Sequence, residues 1–149
     1  MKLIVAPFQC LPAAFSMVLN SELESLFTKH DGLEIVAELP EPNCYKGHHI
    51  QEMIDICIER GYSVTMCDLY PKTIRGGMIE YVYLGPVFDR LWWYLEHGNG
   101  VVTCKTGRGT GHAIAWSFPE QKFYDPAGAI YTSWPVQYEP LQFWLIRRF

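Results

Sequence analysis

The sequence is poor in charge and carries no basic tract. Only 19% of its 149 residues are Asp, Glu, Lys or Arg, and the formal net charge is -4. Without a Lys/Arg run or stripe, nucleic acid is not expected as the main partner. No stretch approaches the roughly 18 uninterrupted apolar residues of a membrane helix. The run Leu3-Ile4-Val5-Ala6 is cut by Pro7 and Gln9, too early for the apolar region of a secretory signal. Paired cysteines are also missing. Cys10, Cys44, Cys57, Cys67 and Cys104 are odd in number, and no two are separated by just two residues. Neither a disulfide framework nor a four-thiolate zinc site is therefore expected. Repeats, low-complexity tracts and linkers are lacking too. These absences together point to a reducing, cytoplasmic setting with no membrane segment.

What the chain does have is apolar bulk. It is 49% apolar and 15% aromatic, and this length suits one domain, 1–149, with a substantial core. Twelve glycines and ten prolines imply many turns.

From Cys10 onward, Leu11, Ala14, Phe15, Val18, Leu19 and Leu26 recur at helical spacing. Pro12 suits the first turn, where its missing N–H has no partner to lose. This spacing predicts a largely buried helix running to about residue 29, stopped by Asp31-Gly32. A short strand is predicted at 33–39 before the turn-rich Pro40-Glu41-Pro42-Asn43. A second helix over 48–60 would face Ile50, Met53, Ile54 and Cys57 inward, with Gly61 as its left-handed exit. Strands follow at 62–69 and 79–84. A third helix opens at Pro86, presents Val87, Phe88, Leu91, Trp92 and Leu95 inward, and stops at Gly98-Asn99-Gly100. Thereafter 101–105, 111–118, 122–124 and 142–146 read as strands, with Pro119-Glu120-Gln121 as a hairpin tip. Helices precede an antiparallel sheet, so the fold class is α+β.

A cysteine at the mouth of an apolar helix is placed for chemistry. A thiolate there is stabilised by the helix dipole and by unpaired first-turn N–H groups. The same N–H groups can receive the oxyanion formed when a thiolate attacks a carbonyl. Cys10 is the candidate nucleophile. The candidate base is His112, in Gly-Thr-Gly-His-Ala-Ile-Ala-Trp, and Asp125, in Phe-Tyr-Asp-Pro-Ala-Gly, is the candidate orienting group. In a hairpin the start of one strand lies beside the end of the next, which makes these two neighbours. Asp125 would then hold one ring nitrogen and leave the other for Cys10.

The order Cys10, His112, Asp125 resembles the papain-like cysteine peptidase superfamily. Within it, Cys10-Leu11-Pro12-Ala13-Ala14, Gly111-His112-Ala113 and Tyr124-Asp125-Pro126 are most similar to compact peptidases that cleave double-glycine leader peptides. Small papain-like proteins of phages and bacteria look similar too, and a phage origin would make the setting a host cytoplasm. The resemblance implies a central N-terminal helix carrying the nucleophile, packed on a C-terminal antiparallel sheet carrying His and Asp. It implies a thiol hydrolase acting on a peptide or protein substrate without metal or organic cofactor. Two positions depart from the pattern. Leu11 follows the nucleophile where the family has Gly, and Ile4 stands where it has an oxyanion-donating Gln. Gln9, adjacent to Cys10, is the candidate replacement donor. Losing such a donor costs about a hundred- to a thousandfold in rate. A catalytically silent binding module is therefore the alternative, followed by a transglutaminase- or deamidase-type acyl transferase.

Other features have plainer readings. Cys44, His48 and His49 suggest zinc, but no full ligand set accompanies them, so no metal is expected. Cys57, Cys67 and Cys104 read as packing residues. Gly107-Arg108-Gly109-Thr110-Gly111 lacks the lysine and following helix of a nucleotide loop and reads as a flexible strand entry. Trp92, Trp93, Tyr94, Trp134, Phe143 and Trp144 read mostly as core, with Trp116 or Trp134 as candidate walls of a substrate groove.

Overall fold

Pro12 sits where an α-helix can tolerate it, in the first turn of α1 (Cys10–Leu19), whose opening bond runs from Ala13 N–H to Gln9 O. The structure, a computed structural model, describes residues 1–26 and 48–149. The expected strand at 33–39, the turn after it and Cys44 lie outside the described residues. Helix α1 ends earlier than its apolar spacing predicts. Asn20 adopts the left-handed conformation at φ 52°, with crossed bonds from Asn20 N–H to Met17 O and from Ser21 N–H to Ser16 O. The spacing persisted to Leu26 because a 3-10 turn, Leu23–Leu26, returns that side chain to the same core.

Helix α2 (Ile50–Glu59) buries Met53 and Cys57. His49 precedes the helix as its cap, its Nδ1 accepting from Gln51 N–H at 3.0 Å, and Gly61 supplies the positive-φ exit. Helix α3 (Val87–Leu95) buries Leu91 and Leu95. Phe88, expected inward, is 49% exposed. It lies in the first turn and borders a surface cavity of about 430 Å³ instead of the core.

The main sheet has six antiparallel strands, among them β1 (Tyr62–Asp68), β4 (Gly100–Lys105), β5 (Gly111–Ser117) and β6 (Lys122–Asp125). It is completed by β7 (Ala129–Tyr131) and β8 (Glu139–Arg148), in the order β1-β8-β4-β5-β6-β7. The fold is thus α+β, but helices do not simply precede the sheet. β1 lies between α2 and α3 in sequence and pairs with the last strand, Val64 opposite Ile146. β7 was not expected. The strand read at 79–84 is β3 (Met78–Tyr81), paired with an unexpected β2 (Lys72–Arg75) in a separate hairpin whose eight strand residues are all exposed.

Strand alternation divides the core between the two sheet faces. Ala113 and Ala115 of β5, with Val101 of β4, meet α1 and α2 together with Phe15, Met17 and Met53. Their small side chains let α1 approach the sheet closely. Ile114, Trp116 and Val102 point the other way and pack with Leu91, Leu95, Phe123 and Phe143. Among the described residues, no helix is long and apolar enough to cross a membrane.

Candidate active site

β5 and β6 pair with Ala115 opposite Tyr124. Continued by one step, this register sets Asp125 opposite Ile114, two residues from His112 and on the same face. The side chains meet there: His112 Nε2 lies 2.7 Å from Asp125 Oδ1. Asp125 is fully buried, and the imidazole is nearly so. The same carboxylate oxygen accepts Ala127 N–H at 2.9 Å, while Oδ2 receives the Tyr131 hydroxyl at 3.5 Å. The Tyr138 ring lies 4.9 Å from that of His112, centroid to centroid, and burial with the nearby charge of Asp125 pushes its hydroxyl up to about 12.

Cys10 arrives on the first turn of α1, and its side chain lies near enough to His112 to raise the pKa of the imidazole. Nε2 is committed to Asp125, which leaves Nδ1 as the ring nitrogen without that partner. The segment before Cys10 is fastened to the turn after Asp125 by a bond from Ala6 N–H to Pro126 O, 2.9 Å. One backbone contact therefore ties the approach to the nucleophile to the orienting carboxylate.

The electrostatics match this geometry. Burial alone would push the imidazolium down, but hydrogen bonds to Asp125 and Cys10, with their charges, raise His112 to about 9. Burial opposes ionisation of Asp125 as well, yet the bonds from His112 and Ala127 hold its carboxyl below the usual range. With its value raised to about 9, the ring is a cation at neutral pH, bonded to the Asp125 carboxylate. Cys104, opposite His112 in the β4–β5 ladder, is a different kind of thiol. Burial, with the charges of Asp125 and Cys10, pushes it far above its ordinary value, and its Sγ donates to His112 O. It remains a protonated packing group, as does Cys57, which burial raises to about 11 against the pull of Arg60.

Cys10 and His112 open onto a cleft of about 710 Å³, lined also by Phe8, Gln9, Leu11, Cys104 and Leu141. Gln9 is the N-cap residue of α1, and its side chain makes no capping bond. Ile4 is occupied elsewhere: its side chain packs on the core and its N–H points to Met17 Sδ at 3.2 Å. Trp116 and Trp134 do not wall the cleft. They are 1% and 5% exposed and pack on Phe123 inside the second core. Trp93, read as core, is 58% exposed. His49 is spent as a helix cap, and among the described residues no three His, Cys, Asp or Glu side chains are grouped to hold a metal.

The sequence reading brought Cys10, His112, Asp125 and Gln9 to one place but missed Tyr131 and Tyr138. Gly128, at φ 114° three residues after Asp125, was the available signal that the chain turns back and returns Tyr131. Tyr138 comes from outside any expected element. No family model and no curated protein matches the chain.

Proposed function

We propose that the chain is a papain-like thiol hydrolase that cleaves a peptide or isopeptide bond. One observation carries this reading: a single imidazole is held on one nitrogen by a buried carboxylate and lies beside a helix-terminal cysteine, and both the imidazole and the cysteine line one open cleft. In the first step the Cys10 thiolate attacks the scissile carbonyl carbon, forming the S–C bond. The oxygen takes the negative charge and is met by Cys10 N–H and the Gln9 side-chain amide. The imidazolium of His112 then gives its Nδ1 proton to the leaving amine as the C–N bond breaks, leaving an acyl thioester. Water, deprotonated by the now neutral His112, attacks the thioester. The C–S bond breaks, Cys10 leaves as the thiolate beside the re-formed imidazolium, and the carboxylic acid departs. Asp125 keeps the ring oriented and stabilises its cationic form throughout. An amine in place of water gives acyl transfer by the same steps.

Ile4 and Leu11 favour a second reading, a silent module that binds protein through the same cleft. Iodoacetamide labelling separates the two. In the hydrolase, Cys10 of the native protein at pH 6.5 is alkylated faster than in the urea-unfolded chain, and His112→Ala removes the advantage. Cleavage of a fluorogenic peptide library should disappear in Cys10→Ala. Labelling no faster than in the unfolded chain overturns the hydrolase and leaves the binding module.

A further inference from the structure

Charge on the cleft walls is one-sided. Among the described residues, Arg108, His48 and His112 line it and no Asp or Glu does; Asp125 is fully buried against the imidazole. Arg108 has no ion pair or hydrogen bond among the described residues, in contrast to Lys105, which pairs with Glu139 at 3.7 Å. The loop that carries it, read from sequence as a flexible strand entry, is tied across its base. Thr106 N–H donates to Thr110 O at 2.8 Å, Gly109 N–H to Thr106 O at 2.9 Å, and the two threonine hydroxyls lie 2.7 Å apart. Glycines flank Arg108 on both sides, so its guanidinium is the one side chain at the tip. Gly109, at φ 81°, takes the conformation the turn requires. Across the cleft stand Phe8, 82% exposed, and Leu11.

We propose that Arg108 is a specificity residue of this cleft and that it selects a peptide bearing a carboxylate beside the bond presented to Cys10, with apolar residues lying on Phe8 and Leu11. This deepens the hydrolase reading and rests on it for the word substrate, though the charge recognition itself does not need turnover. The physical reason is complementarity. A guanidinium offers a planar pair of donors that fits a carboxylate, and no acidic group among the described lining residues opposes those donors. The carboxylate has two sources, an Asp or Glu side chain or the free end of a peptide.

Two measurements test it. In the first, Cys10 is alkylated in parallel with anionic iodoacetate and neutral iodoacetamide. The iodoacetate-to-iodoacetamide rate ratio, which cancels any common change in Cys10 reactivity, should fall roughly three- to tenfold in Arg108→Gln. In the second, Cys10→Ser is titrated by NMR with three tetrapeptides: a capped one carrying Glu, its capped Gln counterpart, and the Gln peptide with a free C-terminus. The preferred carboxylate source should bind roughly three- to tenfold tighter than the capped neutral peptide, and added salt should erode the difference. Equal affinity for all three, or a rate ratio untouched by Arg108→Gln, overturns the proposal. Carboxylate selectivity without any peptide cleavage would remove the hydrolase and leave this site standing. Cleavage indifferent to charge would do the reverse.

Discussion

The Tyr138 ring packs at a tilt against the His112 imidazole, 4.9 Å between centroids, and the charge of Asp125 helps burial push the Tyr138 hydroxyl up, so one tyrosine neighbours both partners of the ion pair. Its backbone is fixed in turn by Trp134, whose Nε1–H donates to Tyr138 O at 2.8 Å. Tyr138 is a positioning residue that restricts the ring and keeps water from the carboxylate.

Tyr138→Phe should keep the stacking and lose the hydroxyl. The expected loss in kcat is about tenfold with KM nearly constant, together with a fall in the His112 pKa read by NMR. Tyr138→Ala should cost more and open Asp125 to solvent. A phenylalanine variant with unchanged kcat and an unchanged His112 titration would show that the hydroxyl does not position the pair.

The ion pair also makes stability depend on pH. His112 is raised from 6.5 to about 9, so its contribution is complete below 6.5 and is lost as pH rises through 9. Asp125 is lowered, so its contribution is present above the ordinary 3.8 and is lost as pH falls below it. Between pH 6 and 9 the urea midpoint of the native protein should therefore drop, by an amount equivalent to about 3 kcal/mol at most. Asp125→Asn should be less stable at pH 6 and show a smaller drop. A variant that tracks the native protein over this range would mean the pair is not coupled to folding.

Gln9 is free of capping duty and borders the cleft. Gln9→Ala should lower kcat about a hundredfold while leaving the alkylation rate of Cys10 unchanged, since the amide acts on the oxyanion and not on the thiolate. Equal effects on both rates would assign Gln9 to the helix terminus alone.

Gly100 tests the packing behind the site. A Cβ there would lie 2.3 Å from Trp144 O and 2.5 Å from the Phe143 ring. Gly100→Ala should destabilise the fold by about 3 kcal/mol, seen as a lower urea midpoint with an unchanged slope. A near-neutral result would mean that β4 and β8 can separate at little cost.

Local chemistry made much of this legible. Pro12 at a helix mouth, Gly61 at a helix exit and the turn Pro119-Glu120-Gln121 are signals contained within a few residues, and each element begins or ends within a residue or two of where they say. The His112–Asp125 contact was within reach for the same reason, because a hairpin register depends only on its own two strands and their turn. Non-local contacts were not legible in this way. The length of α1 was misread because Leu26 satisfies the helical spacing while reaching the core from a separate turn. β2 and β3 gave no alternating pattern because neither of their faces is buried.

The sequence by itself determined the chemical types, a thiol, an imidazole and a carboxylate, and the short-range geometry that seats each at the end of its own element. The tertiary structure decided that they meet. Helix α1 and the His112 face of β5 belong to opposite sides of the sheet, and only the close approach of α1 over Ala113 and Ala115 brings Cys10 to the strand end where His112 stands. It also decided that Tyr138 packs against His112 and that Arg108 and Cys10 line one cleft, because those placements come from packing between segments far apart in the chain, which no local pattern of residues encodes.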